Sequence, residues 1–139
     1  MRISTLRTCV GSGNAERYMS AFFDTNIVID MLAGFPPALS EAALHAEVGI
    51  SRITWMEVLI GAPDAATQAN WESFLRQFEM VEIGEVVCRE AVQIRQQHRL
   101  KLPDALILAS ARAYGADLVT RNTKDFKPGT PGVRVPYAR

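Results

Sequence analysis

The chain has 139 residues, 48% of them hydrophobic, and its 15 Lys and Arg balance 15 Asp and Glu. That length suits one domain with a sizeable core rather than two, and no run approaches the roughly 18 apolar residues of a membrane-spanning helix, so a soluble protein without membrane association is expected. Cys9 and Cys88 lie far apart without Cys-x-x-Cys spacing; they suggest neither a disulfide framework nor a zinc site, and fit a reducing cytoplasm.

Residues 1–18 read as a loose extension ahead of a domain spanning 19–139. Arg2, Arg7 and Arg17 outweigh Glu16, Gly11 to Asn14 is a flexible stretch, and no apolar segment follows as an export signal would require. Met19, just before the first strand, leaves room for an upstream mis-start of translation. Ala21 to Phe23 is a short apolar strand that exits through Asp24, Thr25 and Asn26 into a helix from Ile27 to Leu32. Gly34, Pro36 and Pro37 break that helix, and an Ala-rich pattern from Leu39 to Val48 predicts the next. A strand over Gly49 to Ile53 follows, then a helix opening at Thr54 and ended by Gly61 and Pro63. Trp71, Phe74, Leu75 and Phe78 form a core-facing stripe at helical spacing. Met80 to Ile83 reads as strand, Glu85 to His98 as helix, and Pro103 starts an almost wholly apolar helix closed by Gly115. Ala116 to Thr120 and Gly132 to Val135 complete the strands. This alternation predicts a three-layer α/β/α domain with a mostly parallel central sheet.

Four acids fall where a strand ends or a helix begins: Asp24, Glu57, Asp104 and Asp125. In a parallel sheet those places share one edge, where ligands bind. Each has an ordinary structural explanation as well. Asp24 suits a helix cap, Thr54-x-x-Glu57 a capping box, Asp104 a first helical turn after Pro103, and Asn122 to Asp125 a hydrogen-bonded turn. Caps alone have no reason to converge. Converging carboxylates repel unless protons or a hard cation compensate, and oxygen ligation is what Mg²⁺ prefers. The pattern therefore points to metal-dependent phosphodiester cleavage. Neutral overall charge is compatible with a polyanionic substrate if the carboxylates are sequestered, because Arg52, Arg99, Lys101, Arg121, Lys124 and Lys127 lie near the acids in sequence. For any one of these cations, ordinary solvated surface is the simpler explanation.

Together the segments Phe22 to Ile27, Ile53 to Gly61, Leu102 to Ala109 and Leu118 to Phe126 resemble the PIN-domain ribonucleases, specifically the VapC-like toxins of toxin–antitoxin modules. The resemblance runs from about Ser20 to Arg139 in the family's order and spacing. It implies a Mg²⁺- or Mn²⁺-dependent endoribonuclease, a homodimer, and a cognate antitoxin protein occupying the active-site groove. Asp24 and Asp104 correspond to the family's most dependable metal ligands and Glu57 to its third acid. Asn122 stands where many members have Asp, which leaves Asp125 as the nearby carboxylate and weakens the case for a tightly held second ion. Thr25, Asn26 and Thr120 are expected to orient water or ligands, and Arg52, Arg121 and Lys124 to contact RNA.

Other chemistries remain open. His45 and His98 would be the pair for a metal-free RNA cleavage. A haloacid-dehalogenase-type phosphatase usually needs a second Asp where this chain has Asn26. A DNA-cutting relative shares the metal chemistry, and the non-enzymatic alternative is a PIN-like scaffold that binds RNA or protein. No G-x-S-x-G elbow and no phosphate-cradling glycine motif is present.

Overall fold

The computed structural model describes residues 19–139; the extension expected over residues 1–18 lies outside them. In chain order the elements are β1 (Ala21–Phe23), α1 (Thr25–Leu32), α2 (Pro36–Ala43), β2 (Val48–Ser51), α3 (Arg52–Ile60), α4 (Ala65–Leu75), β3 (Glu79–Val81), α5 (Glu85–Gln97), α6 (Leu102–Ala113), β4 (Leu118–Val119) and β5 (Val133–Arg134). The strands form one sheet in the order β3-β2-β1-β4-β5, and every pairing is parallel. None of the described helices is long and apolar enough to cross a membrane.

Period-two alternation divides the core between the two faces of the sheet. Phe23, Ile50 and Val119 pack with Ile27 of α1, Val58 of α3 and Leu75 of α4. Phe22 and Leu118 point the other way, onto Ile94 of α5 and Ile107 and Leu108 of α6. Helices α1–α4 thus cover one face and the α5–α6 hairpin the other, the three-layer arrangement expected. Phe22 and Phe23 are both fully buried, one in each layer, and each contributes about 2–3 kcal/mol of hydrophobic stabilisation. Room for Phe22 comes from Gly49, its neighbour in the β1–β2 register: a Cβ there would lie 2.7 Å from the Phe22 ring.

Most element ends shift by a residue or two from the sequence expectation, and three of these shifts have a clear physical cause. Pro36 and Pro37 open α2 instead of preceding it, because a first helical turn needs no amide hydrogens. That helix stops at Ala43, and Val48 is drawn into β2 beside Ala21. Helix α3 starts at Arg52 with Ser51 as its cap, the Ser51 hydroxyl accepting the Ile53 amide hydrogen at 3.0 Å. Thr54 therefore lies inside the helix, and the capping box considered for Thr54 and Glu57 does not form.

The connectivity creates one crevice. From β1 the chain moves outward to β2 and β3 over α1–α4, then crosses the other face through α5 and α6 to return beside β1 as β4. Because the order reverses between β1 and β4, the chain leaves β1 for the α1 layer and β4 for the α5–α6 layer, where Phe126 packs, and a crevice lies between the two exits. Helix α6 leads into β4 and so runs against the strands, which places its first turn at that same edge.

Candidate active site

Asp24 leaves β1 directly and caps α1, its Oδ1 accepting the Thr25 amide hydrogen at 2.8 Å. Its Oδ2 accepts from the Thr120 hydroxyl at 2.7 Å and from Asn26 Nδ2 at 3.3 Å. Since Thr120 follows β4, these bonds tie the exits of the two strands together. Asn26 reinforces the tie, with Oδ1 accepting the Arg121 amide hydrogen at 3.2 Å, and Thr120 Oγ1 accepts that of Asn122 at 3.0 Å. Asp24 is thus a helix cap and a member of the crevice at once, only 4% exposed.

Glu57 projects from α3 and is exposed. The Thr25 hydroxyl donates to its Oε1 at 2.5 Å and lies 3.1 Å from the hydroxyl of the fully buried Thr54. Thr25 therefore fixes Asp24 through its backbone and Glu57 through its side chain. Asp104 occupies the first turn of α6. Asn122 and Asp125 grip each other: Asn122 Nδ2 donates to Asp125 Oδ2 at 2.9 Å, and the Asp125 amide donates to Asn122 Oδ1 at 3.2 Å.

The four carboxylates meet electrostatically at Asp104. Burial, then the charges of Asp24, Asp125 and Glu57, push its carboxyl up from 3.8 to about 6, against a smaller pull from Lys101. Burial also raises the Asp24 carboxyl above its usual range; the hydrogen bonds from Thr120, Thr25 and Asn26 lower it, and the Glu57 charge adds to the rise. The crevice carries negative charge that its own hydrogen bonds do not neutralise. Among the described residues no three His, Cys, Asp or Glu side chains are arranged to hold a metal ion as they stand. Mg²⁺ does not require such a cage, since it keeps several waters and uses one or two carboxylates. An all-oxygen pair, Asp24 and Asp104, beside two further acids fits that ion.

The cations sort differently. Arg52 pairs with Glu82 and lies 4.8 Å above the Trp55 ring. Arg121 is bound bidentately by Asp30, at 2.7 and 3.2 Å. Lys124 lines a cleft of about 500 Å³ with Asp125. Asp30 is a residue that sequence reasoning missed. It is fully buried and also accepts from the Tyr137 hydroxyl at 2.8 Å and from Arg139 at 2.7 Å. Burial pushes its carboxyl up, but the bonds from Arg121, Tyr137 and Arg139 outweigh that and hold it low. A clue was present in the sequence: Asp30 lies one helical turn beyond Asn26, an acid among Ile27, Val28, Ile29 and Met31.

The structure does not bring the two histidines together. His45 precedes β2, at the sheet edge opposite the carboxylates, and its Nε2 lies 2.8 Å from Glu41, which also binds Arg134. His98 ends α5 and lines the cleft shared by Lys124 and Asp125.

Comparison with known proteins adds a family to this geometry. The model of the PIN domain matches residues 21–127. A chain from a toxin–antitoxin complex of Klebsiella pneumoniae is 42% identical, with a TM-score of 0.81 over 86% of this chain and 100% of that one. A chain of DNA-bound VapBC from Salmonella typhimurium is 24% identical, covering 84% of this chain and 96% of its own, with a TM-score of 0.70. For VapBC2 from Rickettsia felis, bound to a promoter DNA fragment, the identity is 24%, the coverage 83% and 96%, and the TM-score 0.67; at these two identities the fold is what is shared. No curated protein matches the chain. The protein belongs to the PIN-domain family, with a VapC-like form of its fold.

Proposed function

We propose that the protein is a divalent-cation-dependent endoribonuclease and the toxin of a toxin–antitoxin pair. The observation that carries the reading is the hydrogen-bonded cluster at the β1–β4 crevice, where Thr25 joins Asp24 to Glu57 and Thr120 joins Asp24 to the Asn122–Asp125 turn, with the first turn of α6 and Asp104 beside them. Asp24 and Asp104 would hold Mg²⁺, or Mn²⁺ in its place. When bound, the ion lowers the pKa of an attacking water and neutralises charge on the phosphoryl oxygens.

The chain's own groups prepare that chemistry. Both oxygens of Asp24 are fixed by Thr25, Thr120 and Asn26, so little reorganisation accompanies the reaction. Glu57, aimed by the Thr25 hydroxyl, is exposed at the mouth of the crevice and is suited to take the proton of the attacking water. The Asn122 grip sets the Asp125 carboxylate against Asp104. In-line attack by water leaves 5′-phosphate and 3′-hydroxyl ends.

The similarity to chains of toxin–antitoxin complexes supports an antitoxin as partner, and the VapC-like resemblance supports a homodimer working in the cytoplasm. Sequencing RNA 5′ ends after brief induction, with purified protein assayed with and without EDTA, tests the reading. Metal-dependent 5′-phosphate ends are expected, and loss of cleavage in Asp24→Asn. Cleavage that survives EDTA and leaves cyclic phosphates would overturn it.

A further inference from the structure

We infer that the cleft beside Asp125 is a subsite for an RNA phosphate flanking the scissile one, carried on an unpaired nucleotide; the inference rests on the endoribonuclease reading above. The cleft, about 500 Å³, is walled by Arg99, Lys124 and Lys127, with Asp125 as its lone carboxylate. Its wall is therefore net positive in a chain whose formal charge is zero. Among the described residues none of these three cations forms an ion pair, whereas Arg52 and Arg121 are held by Glu82 and Asp30.

Position makes the cleft part of the same binding surface. Asp125 lines it and also bears on Asp104, so the basic wall and the acidic crevice adjoin. A polyanion approaching four carboxylates is repelled even after one cation is bound, and a second attraction nearby is required to seat it. Cationic side chains supply that attraction without reading sequence.

Both walls are set before ligand arrives. Arg95 Nη1 donates to the Leu100 carbonyl at 2.5 Å and fixes the turn carrying His98 and Arg99. On the other side the Phe126 amide donates to the Asn122 carbonyl at 3.0 Å, and Thr130 donates to the Lys127 carbonyl through its amide at 3.1 Å and its hydroxyl at 2.6 Å. Beneath the rim lie Leu108 and Phe126, both packed into the core and only 1% and 2% exposed, so the cleft's accessible surface belongs mainly to its polar and cationic side chains. A concave basic cleft suits a phosphate carried on the bent backbone of a single strand, whereas duplex RNA holds its phosphates on a stiff regular helix.

The test reads binding rather than cleavage, in the full chain carrying Asp104→Asn so that substrate stays intact. A fluorescent single-stranded RNA oligonucleotide is titrated by anisotropy at several KCl concentrations. Adding Arg99→Ala and Lys127→Ala, both at exposed positions, is expected to weaken binding about tenfold and to flatten the slope of log affinity against log salt by about 0.7, one phosphate contact on a single strand. Arg89→Ala, on exposed α5 surface paired with Glu85, controls for generic charge and should leave both unchanged. Equal affinity and slope in the double variant would overturn the subsite and leave the proposed reaction standing. A loss no larger than that of Arg89→Ala would overturn it too. If the parent chain binds duplex as well as single strands, the unpaired-nucleotide assignment fails, and if it binds no RNA the endoribonuclease reading fails with it.

Discussion

Replacing Asp104 by Asn should make the metal-free protein more stable while abolishing its activity. With its carboxyl pushed from 3.8 to about 6, the native state binds a proton more tightly than the unfolded chain does between those values. Stability therefore falls as pH rises through about 4 to 6, and the loss is complete above that window. At full strength the shift is worth ~3 kcal/mol. Asp104 is only partly buried, so screening leaves about half. Asn also forgoes the attraction of a carboxylate to the α6 N-terminus, about 0.5 kcal/mol. The net gain is ~1 kcal/mol at neutral pH, or about 3–6 °C in Tm for a domain of this size. Thermal melts in EDTA at about pH 7.5 and pH 4 measure it: the variant should melt higher at the first and no higher at the second. Mg²⁺ should then raise the wild-type Tm and close the gap, because an ion that binds only the native state stabilises it. A variant that melts lower than wild type at neutral pH, or an advantage independent of pH, would refute the electrostatic account of the crevice.

Thr25→Val keeps the backbone bond to Asp24 but removes the hydroxyl that aims Glu57 and partners the buried Thr54 hydroxyl; cleavage rate should drop about 10–100-fold, with a stability loss of about 1–2 kcal/mol measured separately by urea denaturation, and an unchanged rate would remove Glu57 from its proposed role. Asp30→Ala strips a buried carboxylate from Arg121, Tyr137 and Arg139 and should cost about 2–4 kcal/mol in urea denaturation, a little under a fully buried pair because the arginines are partly exposed. Gly49→Ala drives a methyl against Phe22 and should cost about 1–3 kcal/mol, a stability loss that kinetics in Mg²⁺ would separate from any effect on the site.

Asp24, Asp104 and Asp125 stood out in the sequence because each lies beside local punctuation: a strand exit for Asp24, a proline for Asp104 and a turn opened by Asn122 for Asp125. The strand–helix order made the layered sheet legible in the same way. What escaped depends on distant pairing. Ser51 and Thr54 are both competent helix caps, and the choice fell to Ser51 because β2 extends to it by pairing with Val81. Arg121 looked like surface charge because its partner is 91 residues away, and Tyr137 and Arg139 reach the same Asp30 across 107 and 109. No window of sequence contains such a clasp. The proline pair misled for the opposite reason, since Pro36 and Pro37 are breakers everywhere except in the helical turn they occupy.

The central position of β1 has a consequence for timing. During synthesis β1 can dock against β2 early, but its other neighbour is translated much later, and the Thr120 hydroxyl that steadies Asp24 follows it by 96 residues. A partly made chain therefore holds scattered acids and no crevice. For a nuclease of the kind proposed, the groups that order Asp24 are complete only once the chain beyond β4 has been made and the far side of the sheet has closed.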